Sequence, residues 1–433
     1  MKNPNKFSFI DPKKWPFYYG YVLLFFGSIG ILFSVPGQTV GVSVFTDPIK
    51  NALHLSRNQF SNAYMIGTLL SAFFITKAGF LFDKVGARII AFFAVLGLSL
   101  AVFSMSFSEA VNTFIFSVFK TKSWVFTFVL LSLLFFLLRF FGQGVLTMAS
   151  RNMIMMWFTK NRGKINSISS ITISLGFSSA PILLNFLNDT YGWELSWQIL
   201  GVILVFFSIV VIQFYRNKPE DFNLFPDGVS AAVTLQRKAN EEKSFTLQEA
   251  KQTRAFWMFA LALSFNSFFF TGFTFHIVSI FKEQLYTKDQ AIAVFLPISV
   301  VAIIVSIIGN ILSDYSNHKN YLFIMIFSGL LASLGLFFLS ENVGFYMLIV
   351  GLGAYAGLFG VVNAVTWPKY FGRKHLGAIT GKVTSFLVIA SAIAPSLFSY
   401  FFTLLGSYGK ISYLTIPYLL FLFLGSLQFK KTI

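Results

Sequence analysis

Runs of about twenty apolar residues recur along this chain, and no other feature narrows its possible folds as far. A helix rising ~1.5 Å per residue needs roughly 20 apolar residues to cross a hydrocarbon layer ~30 Å thick. Such runs occupy residues 18–45, 60–82, 89–107, 125–148, 165–187 and 197–215; after a polar stretch come 256–281, 291–312, 321–339, 345–367, 379–405 and 413–429. The expectation is twelve spans, six and six. Lipid offers the backbone no hydrogen-bond partner, so each span is expected to be a helix that satisfies its own amides. Charge supports this: only 11% of the 433 residues are charged, against about a quarter in soluble domains.

All seven tryptophans (Trp15, Trp124, Trp157, Trp193, Trp197, Trp257 and Trp367) fall at or near span ends, where an amphipathic ring suits the headgroup layer. Lys and Arg then set the orientation. Alternate gaps hold few, while the even-numbered gaps and the tails hold most, including Lys2, Lys6, Lys13, Lys14, Lys84, Arg88, Arg162, Lys164, Arg373, Lys374, Lys430 and Lys431. By the positive-inside rule both termini are expected in the cytoplasm, in a multi-pass inner (plasma) membrane protein. The net charge of +17 comes from short clusters at cytoplasmic gaps. These suit anionic membrane lipid rather than nucleic acid, which would need a continuous groove or stripe. Residues 1–14 are polar and basic and the first apolar run is too long for a signal peptide, so none is expected. With zero cysteines, disulfides, thiolate metal sites and cysteine nucleophiles are excluded.

The organisation expected is an N-terminal six-helix bundle at 1–215, a cytoplasmic linker at 216–254, and a C-terminal six-helix bundle at 255–433. The linker mixes Glu220, Asp221, Arg237, Lys238, Glu241 and Glu242 with Pro219 and Pro226, and a short surface helix is expected near 244–251. Residues 108–123 are too polar to span and read as an interfacial segment on the outer face. The halves echo one another at a constant offset. Gly163 and Gly377, Ile165 and Ile379, and Pro181 and Pro395 are each 214 residues apart. A duplicated bundle is the economical reading, and duplicated bundles place their site where the repeats meet.

Gly79, Asp83, Lys84, Gly86 and Arg88, between the second and third spans, resemble the signature loop of the major facilitator superfamily. Gly309 to Asp314 is a reduced echo without the basic residues. Arg139, Gly142, Gln143 and Gly144 in the fourth span resemble that superfamily's second motif, and Gly176, Ala180 and Pro181 its third. The resemblance covers nearly the whole chain. It implies a twelve-helix all-α integral membrane fold of two pseudo-symmetric bundles, and transport without enzymatic activity. Gly37-Gln38-Thr39, Lys218 to Asp221, Pro226 to Gly228, Thr246 to Ala250 and Trp367 to Gly372 are similar to bacterial carriers grouped with monocarboxylate and oxalate/formate transporters.

Arg139 is the most demanding candidate, because a guanidinium stays charged and is costly at mid-bilayer depth unless it faces protein, water or a counter-charge. Either it meets an anionic substrate in the central cavity, or it bonds to carbonyls of the first or fifth span and holds the bundle together. Gln38, beside the Pro36-Gly37 interruption, is able to donate and accept, though an ordinary kink with a satisfied glutamine fits equally. His276 is a second outer-half candidate, set against a structural hydrogen bonder. Asn266, Tyr355 and Asn363 are further substrate-binding candidates, each with a plain alternative as interhelical glue. Lys382, a turn into the eleventh span, either snorkels to the interface or contacts an anion; the functional lysine of oxalate/formate-type relatives sits deeper. The superfamily resemblance gives the Gly79, Asp83, Lys84, Gly86 and Arg88 loop a gating role, with charge pairs that form in one conformation and break in another; the plainer reading is a positive-inside anchor.

Apart from Asp83 at a cytoplasmic end, the expected spans hold no Asp or Glu. Positive candidates without negative ones favour an anionic cargo. No metal-ligand or catalytic-triad spacing links His54, His276, His318 and His375, and no nucleotide loop occurs, so neither cofactor nor metal is expected. The expectation is a monomeric secondary active transporter, symporter or antiporter, of a small organic anion, a carboxylate by preference, with a proton or counter-substrate as second partner. A carrier or exporter of a neutral or amphiphilic solute is the alternative, and a transporter-like sensor a more distant one.

Overall fold

A computed structural model describes residues 10–120, 123–229 and 244–428, apart from the side chains of residues 57, 288, 289 and 292. Lys2, Lys6, Lys430 and Lys431, and Arg237, Lys238, Glu241 and Glu242 of the expected linker, lie outside the described residues. The helices in chain order are α1 (Gly20–Leu32), α2 (Thr39–Val44), α3 (Thr46–Ala52), α4 (Arg57–Val85), α5 (Ala87–Ser106), α6 (Ser108–Phe119), α7 (Trp124–Leu138), α8 (Thr147–Trp157), α9 (Arg162–Phe214), α10 (Leu247–Gln252), α11 (Arg254–Lys282), α12 (Lys288–Ala293), α13 (Phe295–Ser313), α14 (His318–Phe337), α15 (Asn342–Phe371), α16 (Leu376–Leu405) and α17 (Ser412–Leu427). A π-helical segment, Arg139–Leu146, joins α7 to α8. No strand occurs among the described residues.

Ten of these helical runs are long and apolar enough to cross a membrane, and two local breaks reconcile ten with twelve. Helix α9, 53 residues long, bends at Gly192 (φ 76°), a backbone angle that glycine tolerates, and so carries the fifth and sixth expected spans. The first expected span is interrupted by a 3-10 turn at Val35–Gly37, where Pro36 cannot continue the amide ladder. Elsewhere side chains set the starts. Ser56 and Gln59 form a reciprocal cap on α4, as Thr246 and Glu249 do on α10. Helix α10 is the short helix expected near 244–251.

Large apolar side chains lie outward on the spans, Phe93 and Leu100 on α5 and Leu133 on α7 among them, as expected where the solvent is lipid. Tryptophan departs from expectation. Trp157, Trp197 and Trp367 are fully buried in protein, because span ends in this fold are also where helices cross and bulky rings fill the gaps. Trp124 and Trp257 keep exposed faces.

Contacts divide the chain into two units. Unit 1 holds Met1–Lys160, Ile168–Lys243 and Arg373–Ser385; unit 2 holds Asn161–Ser167, Ser244–Gly372 and Phe386–Ile433. The expected boundaries at 215 and 255 are thus crossed twice, because the first turns of α9 and of α16 belong to a different unit from the rest of their helices. Of the expected linker, residues 216–229 are held within unit 1: Glu220 pairs with Arg373 at 2.7 Å, and Asp227 accepts from the backbone amides of Thr159 and Lys160.

Candidate functional site

Within unit 1 the α7–α8 run carries the most demanding candidates. A π turn is wider than an α turn and recurs at functional positions. Here it carries Gly142, whose missing side chain admits the broken first span: a Cβ on Gly142 would sit 2.8 Å from the Gly37 Cα. Gln38 is extended (φ −94°, ψ 159°), so the helix stops and the Gly37 carbonyl is open to a side-chain donor. Arg139 takes it. Its Nη1 donates to the Gly37 carbonyl at 3.2 Å and to Thr39 Oγ1 at 3.3 Å. The guanidinium carbon lies 5.2 Å from the Tyr64 ring centre, and the Thr39 and Tyr64 hydroxyls are 2.9 Å apart.

Arg139 is 2% exposed, and its Nε has no partner among the described residues. All the partners named are neutral: a carbonyl, a hydroxyl and a ring face. They spread the positive charge without cancelling it. Of the two sequence readings, the carbonyl-bonded one describes this geometry.

Gln38 is half-buried and donates to Ser34 Oγ at 2.9 Å and Thr147 Oγ1 at 3.2 Å, while Thr147 also donates to Ser34 Oγ. Ser34, Thr147 and Tyr64 were absent from the sequence candidates; their ordinary composition gave no signal. Gln143 adds a buried Oε1 without a partner among the described residues. Arg151 was missed for another reason. It lies past the expected end of the fourth span at residue 148, yet the helical run continues to Trp157. Its side chain is half-buried, and among the described residues no hydrogen bond or ion pair holds it. It stands twelve residues, about 18 Å of helix, from Arg139.

In unit 2, His276 Nε2 is 2.9 Å from the Pro395 carbonyl, and its ring lies 4.9 Å from that of Tyr408. Asn266 is half-buried, and its Oδ1 has no partner among the described residues. Asn363 is half-buried. Tyr355 is 1% exposed and donates its hydroxyl to the Ala262 carbonyl at 2.7 Å. That geometry is the interhelical glue of the alternative reading, because a cargo contact would require breaking this bond.

The Gly79 to Arg88 loop differs from the charge-pair expectation. Asp83 turns its two oxygens to the backbone amides of Gly377 and Ala378, at 2.7 and 2.8 Å, capping α16. An anion at a helix N-terminus meets unpaired N–H groups and the positive end of the helix dipole. Gly79 lets the backbones cross there: a Cβ on it would collide with the Gly377 carbonyl. Arg88 instead gives Nε to the Ile212 carbonyl at 2.8 Å; its backbone amide bonds to Asn217 after Gly86 turns the chain at φ 91°. Lys84 is exposed. Lys382 is half-buried on the same first turns of α16.

The reduced echo in the second half keeps this cap. Asp314 accepts from the amides of Gly163 and Lys164 at 2.7 and 3.2 Å, at the start of α9. The duplication is therefore chemical as well as positional: 377 − 163 = 214 for the capped glycines. Asparagines accompany both caps, Asn152 donating to Thr380 at 2.7 Å and Asn166 to Asn310 at 2.8 Å.

All-helical among the described residues, with apolar spans and repeated helix-end caps, the chain has the build of a polytopic membrane protein. The sequence profile of the Major Facilitator Superfamily matches residues 17–395, and the chain belongs to that family. It is a multi-pass membrane protein of a family of transporters, not enzymes. Among curated proteins none matches in sequence. Solved structures show the same fold. The chain is similar to the proton:xylose symporter XylE bound to 6-bromo-6-deoxy-D-glucose (TM-score 0.69, 15% identity, 94% of each chain covered). It is similar to a bacterial homologue of the iron transporter ferroportin in an outward-facing state (0.64, 14%, 94% of this chain and 98% of that one). It also resembles the human organic anion transporter MFSD10 (TETRAN) (0.58, 13%, 93% and 99%). One fold serves these different cargoes, so cargo has to be argued from residues.

Proposed function

We propose that this chain is a secondary active transporter of a small organic anion, a carboxylate by preference, working by alternating access as symporter or antiporter. The reading places it as a monomer in the inner membrane with both termini cytoplasmic, and in the branch of carriers similar to monocarboxylate and oxalate/formate transporters. One observation carries it: Arg139 keeps an uncancelled positive charge at mid-span, bonded to neutral groups alone and with Nε unpartnered among the described residues. An incoming carboxylate would offer the fork of donors a charged, bidentate partner in place of the Gly37 carbonyl. Arg151 supplies a second, less buried cation on the same run. Gln38 is the neutral contact within unit 1, and His276 and Asn266 are the candidates within unit 2, each taken by itself. The Asp83 and Asp314 caps are the gates that form in one state and break in another.

The test is uptake into proteoliposomes across a panel of organic acids, with Arg139→Gln and Arg151→Gln. Expected are loss of uptake in the first and at least a tenfold rise in KM in the second. Unchanged uptake of the cognate acid by folded Arg139→Gln would refute the anion reading. A second reading, a neutral polyhydroxylated cargo, draws on the Ser34, Gln38 and Thr147 network. Competition by sugars but not by carboxylates would favour it.

A further inference from the structure

Helix α6 sorts its residues onto three faces. Ser108 and Asn112 are buried, and Asn112 accepts a hydrogen bond from Thr127 Oγ1 at 2.8 Å, so polar groups face the protein. Phe107, Val111, Phe114 and Val118, spaced four, three and four residues apart, form one exposed apolar stripe. Glu109, Thr113 and Ser117, spaced four and four apart, form a second exposed stripe; with Glu194 and, at its edge toward the apolar stripe, Ala110 and Phe114, it lines an open cavity of about 690 Å³. At about 100° per residue the three faces lie roughly a third of a turn apart. A helix in water would have no use for the apolar stripe, and one inside the bilayer none for the polar stripe.

We propose that α6 is a lipid-seated anchor lying in the membrane interface, its Phe107, Val111, Phe114 and Val118 stripe covered by bilayer lipid and its Glu109, Thr113 and Ser117 stripe in water. The occupant is lipid because α6 lies in the chain between two membrane-length apolar runs whose large apolar side chains are also exposed. Phe93 and Leu100 on α5 precede it, and Val125, Val129 and Leu133 on α7 follow it, all exposed. Amphipathic helices with a narrow apolar face lie in the plane of the interface in this way. Trp124 stands exposed at the start of α7, at the level where such rings settle. Two contacts pass the anchorage on: the Asn112–Thr127 bond, and the stacked rings of Phe119 and Phe126 with centres 4.9 Å apart. Lipid thereby sets the depth of the helical run that leads to Arg139. The inference is independent of the cargo.

The cysteine-free chain permits a direct test with single cysteines carrying spin labels, in vesicles of phosphatidylethanolamine and phosphatidylglycerol. Collision rates with oxygen, which enriches in lipid, are compared with those of a water-soluble nickel chelate. Labels at V111C, F114C and V118C should collide severalfold more with oxygen than with nickel, labels at T113C and S117C should reverse that ratio, and S108C should be shielded from both. Nickel access along the stripe equal to that at T113C would overturn the proposal, as would shielding of the stripe from both reagents, the signature of a second copy or another protein segment covering it. Should one stripe variant not fold, the remaining stripe positions carry the test against T113C and S117C.

Discussion

Replacing Asp83 by Asn should loosen the start of α16 without unfolding the protein. The wild-type carboxylate accepts from Gly377 and Ala378 at 2.7 and 2.8 Å, both charge-assisted. Asparagine keeps one acceptor and turns an amide N–H₂ toward a backbone donor. The loss is one charge-assisted hydrogen bond, about 1.5–3 kcal/mol, and an anion at a helix N-terminus, about 0.3–1 kcal/mol. Asp83 is only half-buried, and discounting for solvent leaves about 2 kcal/mol, near a thirtyfold shift toward the uncapped state. Met148, buried beside Gly381, makes a suitable reporter: in the cysteine-free chain, M148C reacts with a maleimide only when this region opens. Its labelling rate should rise about thirtyfold in the Asp83→Asn background, by the same two-state arithmetic. The exposed Lys84→Gln control should change it less than about twofold. A rate within twofold of the parent in folded Asp83→Asn protein would mean that the cap contributes nothing to the equilibrium, and the gating argument would fail with it.

Gly142→Ala should lower the melting temperature in detergent, because the new Cβ meets backbone at Gly37 rather than a yielding side chain; the cost is about 1–3 kcal/mol, and an unchanged Tm would contradict the close approach of the two glycines. Tyr355→Phe should cost about 0.5–1.5 kcal/mol through loss of the bond to Ala262, while KM for the cognate substrate stays unchanged. A large KM effect would return Tyr355 to the cargo site.

Much of the molecule is readable without coordinates. Apolar runs of membrane length, the bias of Lys and Arg, and the 214-residue offset lead to duplicated helical bundles because a bilayer leaves the backbone few options. The Gly79 to Arg88 loop and the Arg139 segment were likewise visible, since charge in an apolar run demands an explanation. Their partners were not. Asp83 looked like the mate of Lys84 and Arg88 because they are neighbours in the chain, but its oxygens reach amides almost three hundred residues away. Asp314 looked like a remnant and holds the matching cap.

What the sequence by itself determined is the solvent this protein lives in and the helical, duplicated framework that solvent imposes, since both depend on composition and periodicity. Tertiary structure alone decided which donors each charge meets. The Gly37 carbonyl under Arg139, the helix ends under Asp83 and Asp314, the burial of Trp157, Trp197 and Trp367, and the three-sided placement of α6 all depend on where helices cross. Helix crossings are set by small residues and local breaks scattered through the chain, and their effect appears only once the backbones are brought together.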